Sequence, residues 1–447
     1  MEIEGLGLKA SLDPTLFPLH ANICRYLKGR VLSCHGARDM RLLWLTSSLL
    51  ASQSDMHILR YEETVNMKGK TNSFLFSAMG IGLALALQIV CPQRLQAQGD
   101  RPKYEVDPSW PKPLPDKWVT GSIGGICADN QDHVFVLNRH NLTDNELDAG
   151  HQAPPVLEFD TDGNVVNSWG DPEVLGLGGF HSCMVDRENN VWMTYVGDGI
   201  VQKYSHNGKL LLQIGKKGVV DSSDGTLTGK ALNSSHTAFF RPSGIAFDPK
   251  NGDVYISDGE YLDGNHRVAV FDRDGQFLRQ WGPYRAENET GDAWKVLVVC
   301  VAVDIDGNVY TCDRVAHRLQ VFDRTGNFKK NIPIPFEQRS QYTTTGPGHP
   351  PGAWGLVVPG AWGTAVSVSF SRDREQKFMF VSNEDDEQIE ILDRASGRIL
   401  SSFGRAGHQV GEFTHLHHTT IDSKGSIYVG EVSVGARIQK FKIAGSQ

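Results

Sequence analysis

The sequence predicts an all-β chain folded as a six-bladed β-propeller, with its ring closed by an N-terminal strand. Three observations predict it. A phrase recurs six times between Gly124 and Phe441: a short apolar strand ending in Asp, a Gly/Asn turn, a second strand and then a further one. Turns such as Asp-Gly-Asn, Asn-Gly-Lys and Asp-Gly-Gln favour positive φ and join the strands as a meander. The last copy supplies only three strands, so a fourth has to come from elsewhere in the chain. A lone four-stranded sheet leaves two apolar faces and bare edges, whereas sheets packed around an axis bury those faces against one another.

The elements follow in chain order. Residues 1–66 show no sustained periodicity and are read as a non-native or disordered extension from a start codon placed too early. From Met67 the chain reads MKGKTNSFLFSAMGIGLALALQIVCPQRLQAQGD: two lysines, an apolar run around Phe74–Val90, then a small residue at Ala97. Residues 67–97 thus have the layout of a cleavable secretory signal. The alternative is a membrane anchor over residues 74–92, although the run is short of the roughly 20 residues of a span. The expected protein is exported, periplasmic or secreted, with the propeller over residues 102–445.

The copies are GGICADNQDHVFVLN with PVLEFDTDGNVVNSWG; HSCMVDRENNVWMTYVGDGIVQKYSHNGKLLLQIG; PSGIAFDPKNGDVYISDGEYLDGNHRVAVFDRDGQFLRQWG; VCVAVDIDGNVYTCDRVAHRLQVFDRTGNFKKNI; the degraded AVSVSFSRDREQKFMFVSNEDDEQIEILDRASGRILSSFG; and HHTTIDSKGSIYVGEVSVGARIQKF. Their anchor residues are Asp129, Asp186, Asp248, Asp304 and Asp422, with Ser371 in the fifth copy. The Pro/Gly-rich stretch Gln338–Trp362 reads as an excursion over one face. The missing strand is expected near Pro102–Trp110, in PKYEVDPSW. Cys300 and Cys312 lie at mirrored distances about DIDGN, so a symmetric hairpin makes them cross-strand neighbours, either bonded or buried as thiols. A net charge of -8 excludes a basic nucleic-acid face, and the lack of CxxC excludes a zinc knuckle or thioredoxin-like site.

The segment HLHH raises the question of chemistry, with His415, His417 and His418 in four residues. Side chains two apart on a strand share a side, so strand alternation joins His415 to His417 and turns His418 away. Such a pair can chelate a metal, and imidazole suits zinc, copper, iron or nickel. The plainer reading makes His415 a loop residue and His417 a polar lining of the channel.

The stretches FRPSGIAFDPKNGDVYISDG, HRVAVFDRDGQFLRQWG, FHSCMVDRENNVWMTY and HLHHTTIDSKGSIYVGE resemble NHL repeats. Within that group they resemble peptidyl-α-hydroxyglycine α-amidating lyase, over about Val119 to Phe441. The resemblance implies zinc in the central channel, a structural calcium, and cleavage of a peptidyl-hydroxyglycine into a peptide amide and glyoxylate. It places the zinc ligands at histidines five residues before the repeat's Asp, on alternate blades. Here those places hold Gly124, His181, Ser243, Val299, Val366 and His417, so Val299 breaks the pattern. A rebuilt site of His181, His417 and His415 is the expectation, with zinc or another divalent transition metal. His418 replaces an Asp that supports the family's calcium, which puts that ion in doubt.

By the same resemblance Arg139 and Arg314 align with active-site arginines, and Tyr261 approximates the catalytic tyrosine, with Glu260 the alternative at that place. Positive neighbours would lower the tyrosine's pKa and make it a base. The plain counterparts are a strand-end arginine, a turn arginine and an exposed loop tyrosine. Two functions are carried forward. One is a metal-dependent carbon–nitrogen lyase acting on a small peptide-like substrate in the channel. The other is a noncatalytic propeller that binds a protein, peptide or glycan through its loop face. The chain is expected to be a monomer, with no nucleic-acid partner and membrane contact only if residues 67–97 stay uncleaved.

Overall fold

The computed structural model describes residues 101–175, 179–219, 236–261, 264–285, 297–335, 363–433 and 435–445. The segments 1–66 and 67–97 and the excursion Gln338–Trp362 lie outside the described residues.

Strand β1 (Tyr104–Val106) opens the fold, and β2 (Trp118–Val119) pairs in parallel with β5 (His151–Gln152). Helix α1 (Asp144–Ala149) precedes β5 and is capped by Thr143 and Glu146, which satisfy each other's backbone amides. Blade 1 is β3 (Ile123–Ala128), β4 (Val134–Asn138), β6 (Val156–Phe159) and β7 (Val165–Trp169). Blade 2 is β8 (Phe180–Val185), β9 (Val191–Tyr195), β10 (Ile200–Tyr204) and β11 (Leu210–Ile214). Blade 3 is β12 (Pro242–Phe247), β13 (Val254–Asp258), β14 (Arg267–Phe271) and β15 (Phe277–Trp281). Blade 4 is β16 (Val301–Val303), β17 (Val309–Asp313), β18 (Arg318–Phe322) and β19 (Phe328–Pro333). Blade 5 is β20 (Ser367–Phe370), β21 (Phe378–Asn383), β22 (Gln388–Asp393) and β23 (Ile399–Phe403). Blade 6 is β24 (Leu416–Ile421), β25 (Ile427–Glu431) and β26 (Ile438–Ile443), completed by β1.

The fold is therefore an all-β six-bladed propeller. Inner strands β3, β8, β12, β16, β20 and β24 touch in that cyclic order, and β24 returns to β3. Closure is by the N-terminal strand, with Tyr104 opposite Ile443 and Val106 opposite Phe441. Trp110, 4% exposed, then fills the seam between the last blade and the first, its ring 4.8 Å from Tyr428 and 5.5 Å from Phe159.

Local sequence explains the turns. The anchor Asp accepts from backbone amides two and four residues on: Asp129 from Gln131 and His133 at 2.8 Å each, Asp304 from Asp306 at 3.0 Å and Asn308 at 2.8 Å. This Asx geometry holds the chain in the tight turn between first and second strands. In blade 5, where Ser371 takes the anchor's place, Asp373 accepts from Glu375 and Lys377 at 3.1 Å each. Gly208, at φ 81°, lies flat on Trp169, and a Cβ there would stand 2.6 Å from the indole. The apolar core is split into six clusters, each drawn from two neighbouring blades. No helix among the described residues is long and apolar enough to cross a membrane.

The hairpin of blade 4 is symmetric, with Val301 opposite Thr311, and Cys300 is bonded to Cys312. A second disulfide, Cys127–Cys183, was not anticipated and staples β3 to β8 across the first blade interface. The two cysteines lie two and three residues before their anchor aspartates, on opposite sides of equivalent strands, so they meet between the blades.

Two measurements check this description. Trp110→Ala is expected to lower the unfolding free energy by about 3–5 kcal/mol, the range for a large buried aromatic, as read by chemical denaturation; a change under about 1 kcal/mol, the level of most surface substitutions, would contradict closure through this residue. A chain starting near Gly99 is expected to show no free thiol when denatured without reductant.

Candidate functional site

The inner strands do not alternate regularly. Each of four carries an extra residue at the fifth place before its anchor Asp, with the register shifting across Gly124, His181, Ser243 and His417. A β-bulge sets two consecutive residues against one on the partner strand, interrupting the in–out order of side chains. The expectation that His418 faces away from His417 is therefore overturned. His417 and His418 turn to the same side, with their Nδ1 atoms 2.6 Å apart.

His181 joins them from blade 2. One nitrogen from each of His181, His417 and His418 lies within 4.8 Å of the other two, and all three rings are buried. His415 is placed elsewhere. It sits just before β24 at φ 62°, its Nε2 2.5 Å from Glu384, and its backbone N–H donates to Glu387 at 2.6 Å. The carboxylate from blade 5 holds it out of the cluster.

His181 donates its Nδ1 proton to the Ser243 carbonyl at 2.8 Å. That leaves Nε2, 3.2 Å from Glu260, as the nitrogen an ion would take, oriented as outer hydrogen bonds orient metal-ligating imidazoles. Burial, and then the neighbouring imidazoles, hold His417 and His418 well below the usual histidine range. Both are neutral at pH 7, the form that can bind a metal. Three buried imidazoles, one of them oriented by a carbonyl, fit a zinc-type ion.

A charged belt surrounds the cluster. Glu260 lies 3.2 Å from His181 Nε2 and 3.4 Å from Arg314, which is 3.6 Å from Glu384. Burial opposes the charge on Glu260, but His181 and Arg314 outweigh it and hold the carboxyl below its ordinary value. Burial likewise opposes the charge on Arg314, and Glu260 and Glu384 reverse that effect. Arg139 donates from Nε to the Phe180 carbonyl at 2.7 Å, binding blade 1 to blade 2. Gly124 makes room for it, since a Cβ there would stand 3.0 Å from that nitrogen.

Tyr261 stands beside these groups, its ring 4.9 Å from the Arg241 guanidinium. The expected lowering of its pKa does not occur. Burial and the charge of Glu260 outweigh Arg139, Arg314 and Arg241, and the phenol is pushed up to about 12. Tyr261 therefore keeps its proton, and Glu260 is the ionised group. Glu260 was the alternative named at the tyrosine's place, and Glu384 could have been found by position, since it follows the second strand of its repeat as Arg139 and Arg314 do. Below the cluster a channel of about 610 Å³ runs toward the anchor aspartates, with His418 in its wall beside Ile126, Met184, Phe247 and Phe370.

Comparison with known proteins agrees with this architecture. The NHL repeat family matches residues 239–271, which contain β12, β13 and β14. The chain is a six-bladed propeller that carries an NHL repeat. It is 31% identical to NHL repeat-containing protein 3 of Mus musculus over 230 residues, 50% of this chain and 57% of that protein. It is 25% identical to peptidyl-glycine alpha-amidating monooxygenase A of Xenopus laevis over 244 residues, 51% of this chain and 24% of that protein. The NHL propeller thus spans little more than half of the first relative and about a quarter of the second. A solved structure described as a streptogramin B lyase shares 13% identity at a TM-score of 0.45, covering 76% of this chain and 98% of its own.

The buried carboxyls behind His415 set a pH dependence. Burial raises Glu387 and Glu390 to about 7, against an ordinary 4.5. Between those values the folded chain holds protons that the unfolded chain has released, so stability falls as pH rises from about 4.5 to about 7. Glu390→Gln is expected to flatten that fall in urea denaturation midpoints; an unchanged slope would contradict the burial effect.

Proposed function

We propose that this NHL propeller is an exported, metal-dependent carbon–nitrogen lyase acting on a small peptide-like substrate in its channel. The observation that carries the reading is the convergence of His181, His417 and His418 beside oppositely charged Glu260 and Arg314. The resemblance of the sequence to amidating lyase and the distant similarity to amidating monooxygenases support the reaction class. The two disulfides support export, since such bonds persist in oxidising compartments.

A zinc-type ion held by the three imidazoles would supply Lewis acidity toward a substrate oxygen. The chain's own groups divide the remaining work. Arg139 and Arg314 present guanidinium to a substrate carboxylate, and the buried Nε of Arg314 has no hydrogen-bond partner. Glu260, ionised, accepts the proton of a substrate hydroxyl. Tyr261, protonated, gives its proton to the departing amide nitrogen. For a peptidyl-hydroxyglycine the C–N bond breaks, the hydroxyl oxygen forms a carbonyl, and one proton passes from oxygen to nitrogen without oxidation or reduction.

The second reading is a noncatalytic propeller that binds through its loop face. It is favoured by the internal pairing of the belt, in which Arg314 is already shared between Glu260 and Glu384.

Metal analysis and a glyoxylate-release assay decide between them. The tag-free protein is expected to carry an ion that His181→Ala, His417→Ala and His418→Ala each remove and His415→Ala leaves. Tyr261→Phe and Glu260→Gln are expected to lower kcat by about 10²–10⁴-fold, the usual worth of a positioned acid or base. A parent that holds no channel ion and releases no glyoxylate would leave the binding reading.

A further inference from the structure

At two interfaces of the ring, the anchor Asp of one blade is neutralised by an arginine of the next. Asp248 meets Arg324 at 2.5 Å and Asp304 meets Arg394 at 2.6 Å. Each arginine stands second in a turn of the following blade, in Asp323-Arg324-Thr325-Gly326 and Asp393-Arg394-Ala395-Ser396-Gly397. In blade 2 Asp186 is paired within its own blade, 2.9 Å from Lys203 on β10, and among the described residues Asp422 of blade 6 forms no ion pair with a lysine or arginine.

The interface of blades 1 and 2 lacks such an arginine pair. Its turn reads Ser205-His206-Asn207-Gly208, so His206 stands in the arginine's place. A second carboxylate is added as well: Glu158, on β6, stands where β14 and β18 carry Val270 and Val321. Asp129 and Glu158 are 7% and 2% exposed. Among the described residues neither is ion-paired with a lysine or arginine; Glu158 meets two imidazoles, His133 at 2.7 Å and His206 at 3.0 Å, and accepts from the Asn167 side-chain amide at 3.1 Å. Burying two carboxylates without a fixed counter-charge is costly.

We propose that Asp129, Glu158 and His206 form a second metal site, for a divalent ion of the zinc class, between blades 1 and 2. One donor atom from each lies within 4.8 Å of the other two. Asp129 offers Oδ2, because Oδ1 already accepts from Gln131 and His133 at 2.8 Å each. His133 stands behind Glu158 as its outer partner. The mixed oxygen and nitrogen donors suit zinc, manganese or iron more than calcium. Two carboxylates with one divalent ion sum to zero, as Asp248 and Arg324 do between blades 3 and 4.

Asn189 adds an independent sign. Its Nδ2 lies 2.9 Å from His206 Nδ1 and makes a long 3.4 Å contact to Asp129 Oδ2, which an ion at that oxygen would replace, and its buried Oδ1 has no hydrogen-bond partner. An imidazole bound through Nε2 carries its proton on Nδ1. With the Asn189 amide turned end for end, Oδ1 accepts that proton and is no longer orphaned.

The test uses the full chain without a His-tag, stripped by chelator and titrated with Zn²⁺ by calorimetry. A protein carrying His181→Ala and His417→Ala, which lacks the channel donors, is expected to bind one equivalent and to melt higher with zinc. Adding Glu158→Gln or His206→Ala removes that binding. His206→Arg supplies the arginine that Asp248 and Asp304 meet at their interfaces, so this variant is expected to stay folded, bind one equivalent less than its parent, and lose the zinc-dependent part of its melting shift that the interface supplies. If the channel-deficient protein fails to fold, the same one-equivalent loss is read for His206→Arg against the unmodified chain. Zinc fully retained in the His206→Arg protein, or a folded channel-deficient protein that binds none, overturns the site and leaves His206 as a hydrogen-bonding partner of Glu158.

Discussion

Each inner strand must present its edge to the axis of the ring, and a regular strand would send alternate side chains into the two neighbouring blades. The extra residue at the fifth place before the anchor Asp relieves that constraint. In β24 it brings His417 and His418 to one side, and in β8 it turns His181 toward them. The same extra residue at Gly124 clears the space in which Arg139 reaches the Phe180 carbonyl. One backbone irregularity, repeated around the channel, thus decides which side chains can act together.

Burial sets their protonation. His417 and His418 are neutral because they are buried and crowded by imidazoles, and Tyr261 stays protonated although three arginines are near. Glu260 escapes the same effect only through direct partners, His181 on one side and Arg314 on the other. At the anchor turns the same competition is resolved by permanent cations at Asp186, Asp248 and Asp304, and beside Asp129 by imidazoles at Glu158. Apolar packing between blades and charge matching at their turns are therefore separate devices: the first closes the ring and the second fixes the turns that carry it.

The ring was legible because its signals are local. The Asp turn, the meander and the strand missing from the last copy all lie within single repeats, and the Cys300–Cys312 bond follows from one symmetric hairpin. The channel was only half legible. His181 and His417 share a repeat position and were found together, but alternation assigned His415 to them in place of His418 because a bulge has no distinct residue signature here. The pairing of His415 with Glu384 and the Cys127–Cys183 bond depend on neighbouring blades, which a single repeat does not show. The behaviour of Tyr261 was misread because charge was weighed without burial.

The most direct measurement is zinc X-ray absorption on the His206→Arg protein loaded with one equivalent, which isolates the channel. Three imidazole ligands are expected, falling to two in a His418→Ala variant that still holds zinc, or a variant that no longer holds it. An unchanged spectrum and affinity after His418→Ala, with loss after His415→Ala instead, would contradict the bulged arrangement at its centre.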